Sequence, residues 1–507
     1  MASALLFFLF LPIAAASGTL LSQSDEAGYI SSFVSESGLV FAKDLLVERA
    51  VDSLTLLRLP DIEKDVRIPV VGVVHMVASN ITLSSINVSS STVKPGESGI
   101  VIVASGASAS LSFDWFYSYS TWLVPIKVSD KGTASVQVEG LQVGLTITLD
   151  NKNGTLELAV LQCGCYMESL VITLDGGASW FYQGFIYAFA NHIRSSVEDA
   201  IIKKITEGAQ KLDLFLQTLP KEIDVDKISS LNVTFVDEPI LTNSSLELDI
   251  NGLFIPSNKT YAQNYLYKVS QLSNSCDGAQ KMLSITLDEA VFNSASVIYF
   301  QAGLLHWMVN KVPEQSLLNT TSWKYLIPQL YRKYPNDDMI LNMSLMSPPD
   351  VWITSQKVGA NLLLDMTVNV LDGSSTIPVA CISMVIKFLL HARPHCIQSK
   401  IQVVDVSGVV AISGNNLVGE VGLDSFSLSL KWSDVGKFHM NLIQGVLQVF
   451  LKTVFVPYVN VHLRQGFPLP IVRGFALQNA SILTTSSAVV VCSDVVFINS
   501  TGLHSSL

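Results

Sequence analysis

The chain has 507 residues, of which 49% are hydrophobic and only 14% are charged, and its formal net charge at pH 7 is −11. This length fits two or three domains, and the acidic balance argues against a nucleic-acid partner, whose phosphates attract cationic surfaces. After the first twenty residues, no unbroken apolar run reaches the roughly 18–20 residues that cross a membrane. The dispersed apolar residues therefore predict a large core, or a core that also lines a ligand cavity.

The N-terminus predicts a cleaved signal peptide over residues 1–18. An apolar run from Leu5 to Ile13 leads into Ala14-Ala15-Ala16, whose small side chains are typical of a cleavage site. Many Asn-x-Ser/Thr sequons follow, as in glycosylated secretory proteins. We therefore expect a secreted, extracellular glycoprotein with glycosylation sites at Asn80, Asn87, Asn153, Asn232, Asn243, Asn258, Asn319, Asn342, Asn479 and Asn499.

The first half begins with a predicted amphipathic helix that Pro60 ends. Its apolar residues recur at spacings of three and four, which places them on one face. The residues expected to point into a cavity are Leu39, Ala42, Leu46 and Ala50. Between residues 141 and 174, apolar and polar residues alternate and Gly, Asn and Asp mark the turns, which predicts antiparallel strands with one buried face.

A second long helix is predicted from Phe181 to Leu219. Its apolar residues fall at every fourth position, a row that suits a helix wrapping around a twisted sheet. The members of this row that we expect to face the cavity are Phe185, Phe189, Ile193 and Val197.

The second half repeats this plan, which predicts a duplicated domain. Its final helix carries one apolar face, formed by Ile443, Leu447, Phe450 and Val454. We expect a first domain over residues 24–245, a linker region over 246–272 and a second domain over 273–507.

Recognisable catalytic motifs are absent from the sequence. It contains no His-Glu-x-x-His, no Gly-x-Ser-x-Gly, no phosphate-binding glycine loop and no Cys-x-x-Cys. We therefore expect no enzymatic activity, no metal and no cofactor.

An aromatic cluster occupies Asp114–Trp122 within the strand region. These residues are either strand positions buried on both faces or an exposed tip that enters a lipid interface, where Trp and Tyr are favoured. The second interpretation assigns membrane contact to Trp115, Phe116, Tyr117, Tyr119, Trp122 and Lys127.

The six cysteines are too few for a disulfide framework. Cys381 and Cys396 flank an apolar strand and a turn, which predicts a disulfide between them, with Cys276 and Cys492 as rival partners. The Cys163-Gly164-Cys165 element lacks a second Cys/His pair at metal-ligand spacing, so we expect disulfides or buried thiols there.

Several stretches resemble the bactericidal/permeability-increasing and lipopolysaccharide-binding protein family, in particular its plant branch. They are Ser37–Ala42 leading to Leu59–Ile62, Gln162–Cys165, Leu417–Glu420 with Leu423-Asp424, and Gln465–Pro470. The similarity covers essentially the whole mature chain. It implies an α+β fold of two tandem similar barrels, each a highly twisted antiparallel sheet with two long helices, joined by a central sheet into a boomerang. It also implies that residues 24–245 form an N-terminal lipid-binding barrel and residues 273–507 a C-terminal one, with the central-sheet region at the linker, 246–272. Each barrel is then expected to hold a bound phospholipid or other acyl lipid in an apolar pocket.

Two features depart from the family pattern. Members that bind lipopolysaccharide tightly have a basic N-terminal domain, whereas residues 1–240 here carry 15 Lys and Arg against 26 Asp and Glu. The family's N-terminal disulfide joins the Cys-containing strand to the second helix, but residues 180–220 contain no Cys.

The resemblance predicts a secreted lipid-binding protein that recognises lipopolysaccharide or a similar microbial amphiphile in innate defence. Its expected partners are phospholipid or lipopolysaccharide and, peripherally, a membrane surface. One alternative is a phospholipid carrier between membranes. Another is a secreted hydrolase with an unrecognised catalytic arrangement.

Overall fold

The computed structural model describes residues 27–68, 71–120, 126–175, 179–257, 267, 276, 281–312, 315–392 and 408–498. The predicted signal peptide lies outside these residues, as do Trp122, Cys396, Asn258 and Asn499.

Strands make up most of the described chain. In chain order they are β1 (Ile30–Val34), β2 (Ile62–Ile68), β3 (Gly72–Asn87), β4 (Ser90–Gly96), β5 (Gly99–Ser120), β6 (Lys127–Lys152), β7 (Thr155–Asp175), β8 (Glu222–Asp224), β9 (Ser229–Asn232), β10 (Ile240–Leu241), β11 (Leu246–Ile250), β12 (Phe254–Pro256), β13 (Leu283–Asp288), β14 (His306–Val309), β15 (Asp338–Leu345), β16 (Asp350–Ile353), β17 (Val358–Asp372), β18 (Ser375–Ala392), β19 (Gly408–Ser413), β20 (Asn416–Gly419), β21 (Gly422–Ser433), β22 (Phe467–Pro468), β23 (Phe475–Thr484) and β24 (Ala488–Phe497).

Helices are fewer and of very different lengths. They are α1 (Glu36–Leu54), α2 (Ser179–Gln217), α3 (Glu289–Gln301), α4 (Pro328–Lys333), α5 (Met440–Phe450) and α6 (Val456–Leu463). Two 3₁₀ turns, Gln315–Leu318 and Thr320–Trp323, precede α4, and a π-helical turn, Leu451–Phe455, joins α5 to α6.

The chain divides into two compact units. The N-terminal unit comprises Val34–Leu219 and Glu238–Glu247, and the C-terminal unit contains the remaining described residues. Residues 220–237, which the sequence-based bounds place in the N-terminal barrel, therefore belong to the C-terminal unit. The first part of the expected linker, residues 246–256, forms the two strands β11 and β12.

Most of the N-terminal unit is one antiparallel sheet with two helices. Its strand order is β2-β3-β5-β6-β7, with β4 paired to β5. Register shifts interrupt the pairing of β5 with β6, and such bulges increase the local twist. The 39-residue α2 packs along β7, and its apolar row faces a core built from the inward residues of β3, β5 and β6.

The C-terminal unit contains a second twisted sheet with the order β14-β15-β17-β18, and β21 also pairs with β18. Its core lies between this sheet and the α5–α6 segment. A further sheet of the same unit has the order β11-β1-β13-β24-β23, and it shares another core with α3. The predicted fold class is confirmed: the chain is α+β, with two halves that each pair a twisted antiparallel sheet with helices.

Candidate lipid-binding site

The apolar row of α2 is buried as predicted. Phe185, Phe189, Ile193 and Val197 are each at most 2% exposed. The rings of Phe185 and Phe189 stack with centroids 4.3 Å apart, and Phe185 also stacks on Phe113 of β5 at 6.3 Å. This row belongs to the apolar core of the N-terminal unit, whereas its contact with a lipid stays a prediction.

The predicted face of α1 is wrong at two positions. Leu39 is buried, but Ala42 is exposed, Leu46 is 38% exposed and Ala50 is half-buried. The helix is rotated so that Lys43 faces inward and is only 5% exposed.

This burial of a lysine is possible because its ammonium group finds polar partners. The Nζ atom of Lys43 donates hydrogen bonds to the Oγ of Ser91 at 2.7 Å and to its carbonyl oxygen at 3.2 Å. It also pairs with Asp44 at 2.5 Å. A buried cation with such partners avoids most of the desolvation cost that would otherwise turn it outward.

The aromatic cluster on β5 is mainly a core element. Trp115 and Tyr117 are 2% and 6% exposed, and their rings stack at 5.9 Å. The prediction that these two residues form an exposed tip is therefore wrong. The two residues are two positions apart on β5, so both side chains point to the same, buried face of the sheet.

The other residues of the predicted tip differ in their placement. Phe116 and Tyr119 are half-buried, Lys127 is exposed at the start of β6, and Trp122 lies outside the described residues.

A small cavity lies in the core of the C-terminal unit. Its volume is about 40 Å³, and Ile443 and Leu447 of α5 are among the residues that line it, while their contact with a lipid stays a prediction. Phe450 is buried nearby and Val454 is partly buried in the same core. All thirteen lining side chains are apolar: Leu317, Trp323, Ile327, Leu330, Met339, Leu341, Met366, Val368, Val379, Ile382, Phe438, Ile443 and Leu447.

Four of these lining residues belong to a segment that the sequence analysis did not single out. We call residues 315–336, between β14 and β15, the cap segment. Its Leu317, Trp323, Ile327 and Leu330 close the cavity from one side. The helical spacing of 323, 327 and 330 is a signal that could have identified this segment.

The α5–α6 segment also presents apolar residues to solvent. Leu442, Val449 and Val461 are 54%, 55% and 58% exposed. Within the 24 residues Met440–Leu463, an 18-residue window has a mean hydropathy of 1.5 and is one-third buried. It is the single helix in the described chain that is long and apolar enough to cross a membrane.

Cys163 and Cys165 are free thiols on β7, beneath α2. Burial raises the pKa of both, and it raises that of Cys165 to about 12, with Glu198 on α2 adding to the effect. Of the two expected states, a disulfide or a buried thiol, this pair therefore takes the thiol form, although both side chains are only half-buried. Among the described residues, no group of three His, Cys, Asp or Glu side chains is placed to hold a metal ion.

The predicted disulfide between Cys381 and Cys396 is wrong, because Cys381 is a buried free thiol. The reason is geometric: β18 runs on from Cys381 to Ala392, which separates those α-carbons by about 36 Å at a rise of about 3.3 Å per residue. The four further residues to position 396 span at most about 14 Å, so the chain cannot return. Cys276 instead bonds Cys492, with their α-carbons 5.9 Å apart.

Most of the sequons remain suitable for glycosylation. Six of the asparagines are exposed: Asn80, Asn87, Asn153, Asn243, Asn342 and Asn479. Asn232 and Asn319 are half-buried, and the Nδ2 of Asn319 donates a hydrogen bond to Asp338 at 3.0 Å. Attachment of glycans at these positions stays a prediction.

One Ser–Asp–Tyr group in the C-terminal unit resembles a catalytic arrangement in composition. The hydroxyl of Tyr299 donates to Asp226 at 2.8 Å, and Ser229 lies 2.8 Å from the same hydroxyl. Ser229 is fully buried, and burial raises the pKa of Tyr299 well above its usual range. The group therefore holds β9 to α3, out of reach of a substrate.

Comparisons with known proteins agree with this architecture. The model of the LBP/BPI/CETP family N-terminal domain matches residues 38–219, and that of the family's C-terminal domain matches residues 223–497. A BPI/LBP family protein of Arabidopsis thaliana is 50% identical over 93% of both chains. The lipopolysaccharide-binding protein of Bos taurus is 23% identical over 88% of this chain and 89% of its own.

A solved structure extends the comparison to the fold. The crystal structure of a lipopolysaccharide-binding protein superposes with a TM-score of 0.61 at 20% identity, covering 93% of this chain and all of the other.

Proposed function

Because the chain belongs to the LBP/BPI/CETP family, we propose that it is a secreted, non-enzymatic lipid-binding protein that holds acyl chains between its sheets and helices. Lipopolysaccharide or a similar microbial amphiphile is the proposed ligand. The relatives named for lipopolysaccharide binding support this proposal for the ligand class.

The apolar cavity of the C-terminal unit is the observation that carries the proposal. An ordinary core contains few voids larger than a water molecule, and this one leaves about 40 Å³ beside Leu447 and Ile443. By cavity energetics, such a void forgoes about 1 kcal/mol of packing. An acyl chain inserted there would recover that packing without meeting a polar group.

Lipid entry requires the cavity to widen, because pockets for small-molecule ligands typically measure about 300–1,000 Å³. The flexible side chains of Met339 and Met366 line the present cavity and can move with little strain. Widening would therefore proceed by displacement of side chains between the sheet and α5.

In the N-terminal unit, the corresponding place is the interior between α2 and the sheet. Phe189 and Ile193 are fully buried there against inward residues of the strands. Only four residues of α1 are buried, namely Gly38, Leu39, Lys43 and Leu54, while Ala42 and Leu46 are exposed. We propose that α1 moves when an acyl chain enters this unit.

Mass spectrometry of organic extracts tests the proposal. The chain would be produced as a secreted glycoprotein and extracted with organic solvent after purification. We expect co-purifying acyl lipid, and we expect purified lipopolysaccharide to displace a fluorescent fatty acid at lower concentration than phosphatidylcholine does. A protein without lipid that also fails to take up the fatty acid would refute the proposal.

The same material separates the alternatives. A carrier between membranes would transfer labelled phospholipid from donor to acceptor vesicles, and phosphatidylcholine would then compete at least as well as lipopolysaccharide. A hydrolase would release free fatty acid from an ester substrate.

A further inference from the structure

The cap segment, residues 315–336, combines positive charge with aromatic side chains. It contains Lys324, Arg332 and Lys333 and no Asp or Glu, in a chain whose net charge is −11. All three cations are exposed, and none of them forms a salt bridge with another described residue. Their charges are therefore available to an external anion.

Aromatic rings lie beside these cations. The Nζ atom of Lys324 is 5.6 Å from the ring centroid of Tyr325 and 5.4 Å from that of Tyr331. Tyr325 is 86% exposed, although removal of a tyrosine ring from water is favourable. We call Lys324, Tyr325, Arg332 and Lys333 the cation–aromatic patch.

The inner side of the same segment lines the apolar cavity. Trp323 precedes Lys324 directly, and it lines the cavity while its Nε1 donates a hydrogen bond to the carbonyl oxygen of Leu317 at 2.9 Å. The cap segment thus has cations and an exposed tyrosine on one side and part of an apolar cavity lining on the other. The loop with Gly436 touches α4 at Gln329 and adds the exposed Lys437 beside it.

We propose that the cation–aromatic patch docks the C-terminal unit on a membrane whose surface carries anionic phospholipids. The cations contact lipid phosphates, and Tyr325 enters the interface between headgroups and acyl chains, where tyrosine is favoured. A nucleic acid or an acidic protein would match the charge but would leave the exposed Tyr325 and the underlying cavity without a role. The inference goes beyond the proposed function, since a protein can hold lipid without docking on a bilayer.

Vesicle flotation with the intact glycoprotein tests this docking. The vesicles are phosphatidylcholine alone, or about one part phosphatidylglycerol to three parts phosphatidylcholine. The triple variant Lys324→Gln, Arg332→Gln, Lys333→Gln should weaken binding to the anionic vesicles roughly 100-fold at low salt, because each cation at such a surface contributes about one kcal/mol. The wild-type protein should bind phosphatidylcholine vesicles much more weakly.

Two matched controls accompany these variants. The triple variant Arg67→Gln, Lys203→Gln, Lys211→Gln removes the same charge from exposed positions of the N-terminal unit, and it should weaken binding by less than about threefold. Tyr325→Ala should weaken binding, whereas Tyr187→Ala, which removes a ring that is 84% exposed on α2, should not. Unchanged thermal unfolding would show that all variants fold.

The outcomes decide the proposal in both directions. If both triple variants lost vesicle binding equally, the attraction would be due to overall charge and the docking proposal would be overturned. The proposal would also be overturned if Tyr187→Ala, but not Tyr325→Ala, weakened vesicle binding. A loss of binding to heparin, with vesicle binding kept, would assign the patch to a soluble polyanion instead. The lipid content of the triple variant Lys324→Gln, Arg332→Gln, Lys333→Gln, measured by mass spectrometry, tests the proposed lipid binding independently of docking. This lipid content should equal that of the wild type.

Discussion

Trp115 lies across from Gly132 on the neighbouring strand, and its indole ring covers the glycine so closely that a Cβ atom at position 132 would stand 2.6 Å from the ring. The ring is held in place by a hydrogen bond from its Nε1 to the carbonyl oxygen of Thr133 at 2.9 Å. Trp352 covers Gly359 in the same way in the C-terminal unit, where the corresponding distance would be 2.2 Å. Each sheet thus fixes a large ring over a strand glycine, a pairing that helps to set the strand register.

Gly132→Ala should therefore destabilise the N-terminal unit. The new methyl group would meet the indole of Trp115 and the carbonyl oxygen of Asp175, 2.3 Å from the Cβ position, and overpacking of this kind costs about 1–3 kcal/mol. Urea unfolding followed by tryptophan fluorescence measures the change. Gly144→Ala on the same strand is the matched control, because its Cβ would meet no atom within 4 Å. Equal midpoints for the two variants would contradict this role of Trp115.

The disulfide between Cys276 and Cys492 gives a second prediction. It closes a loop with a sequence separation of 216 residues, and removal of a native disulfide typically costs about 2–5 kcal/mol. Cys276→Ser should lower the free energy of unfolding by this amount, whereas Cys163→Ala, at a half-buried free thiol, should change it by less than about 1 kcal/mol. Peptide mapping without reduction should recover the 276–492 cross-link and alkylated Cys381. A cross-linked Cys381 would contradict the structure.

The raised pKa of Cys165 predicts a stability that falls in alkaline solution. Burial and the nearby Glu198 raise this pKa to about 12 from an ordinary value of 9.0. Below pH 9 the thiol is protonated in both states, but between these two values mainly the unfolded chain loses the proton, so the folded state loses relative stability as pH rises. Unfolding free energies measured from pH 8 to 11 should decline more steeply for the wild type than for Cys165→Ala. Parallel curves would mean that the thiol ionises equally in both states.

Much of the fold was predictable from local periodicity, and the α2 row shows why. Phe185, Phe189 and Ile193 are apolar at a regular spacing, so the sequence itself identifies the buried face. The face of α1 was not predictable in this way, because it includes Lys43. The partner that allows this lysine to be buried is Ser91, which lies 48 residues away in the sequence and becomes a neighbour only when β4 forms.

The candidate site was predicted less completely than the fold for the same reason. Trp115 and Tyr117 have the composition of a membrane-facing cluster, and only their alternation along β5 indicated that they share a buried face. The cap segment has no long repeat, and its relation to the cavity depends on Leu447 and Ile443, more than a hundred residues later. Contacts of this range follow from the folded sheet and cannot be read from spacing.

Leu447→Phe should fill the cavity of the C-terminal unit and reduce its capacity for lipid. Leu447 is 4% exposed and lines the cavity of about 40 Å³, so a larger ring at this position can occupy space that would otherwise admit an acyl chain. Val449→Phe on the same helix is the matched control, because Val449 is 55% exposed and faces away from the cavity. Filling the void should also raise the free energy of unfolding by up to about 1 kcal/mol.

Titration with a fluorescent fatty acid measures the effect on lipid binding. If each unit holds acyl chains separately, Leu447→Phe should abolish binding in the C-terminal unit and leave binding in the N-terminal unit. The number of fatty-acid probes bound per protein should then fall, while the affinity of the remaining site is unchanged. Val449→Phe should bind as many probes as the wild type. Both substitutions place the same ring on the same helix, so a lower capacity of Leu447→Phe alone supports entry of acyl chains between α5 and the sheet. Equal capacity in all three proteins would show that acyl chains do not enter between α5 and the sheet.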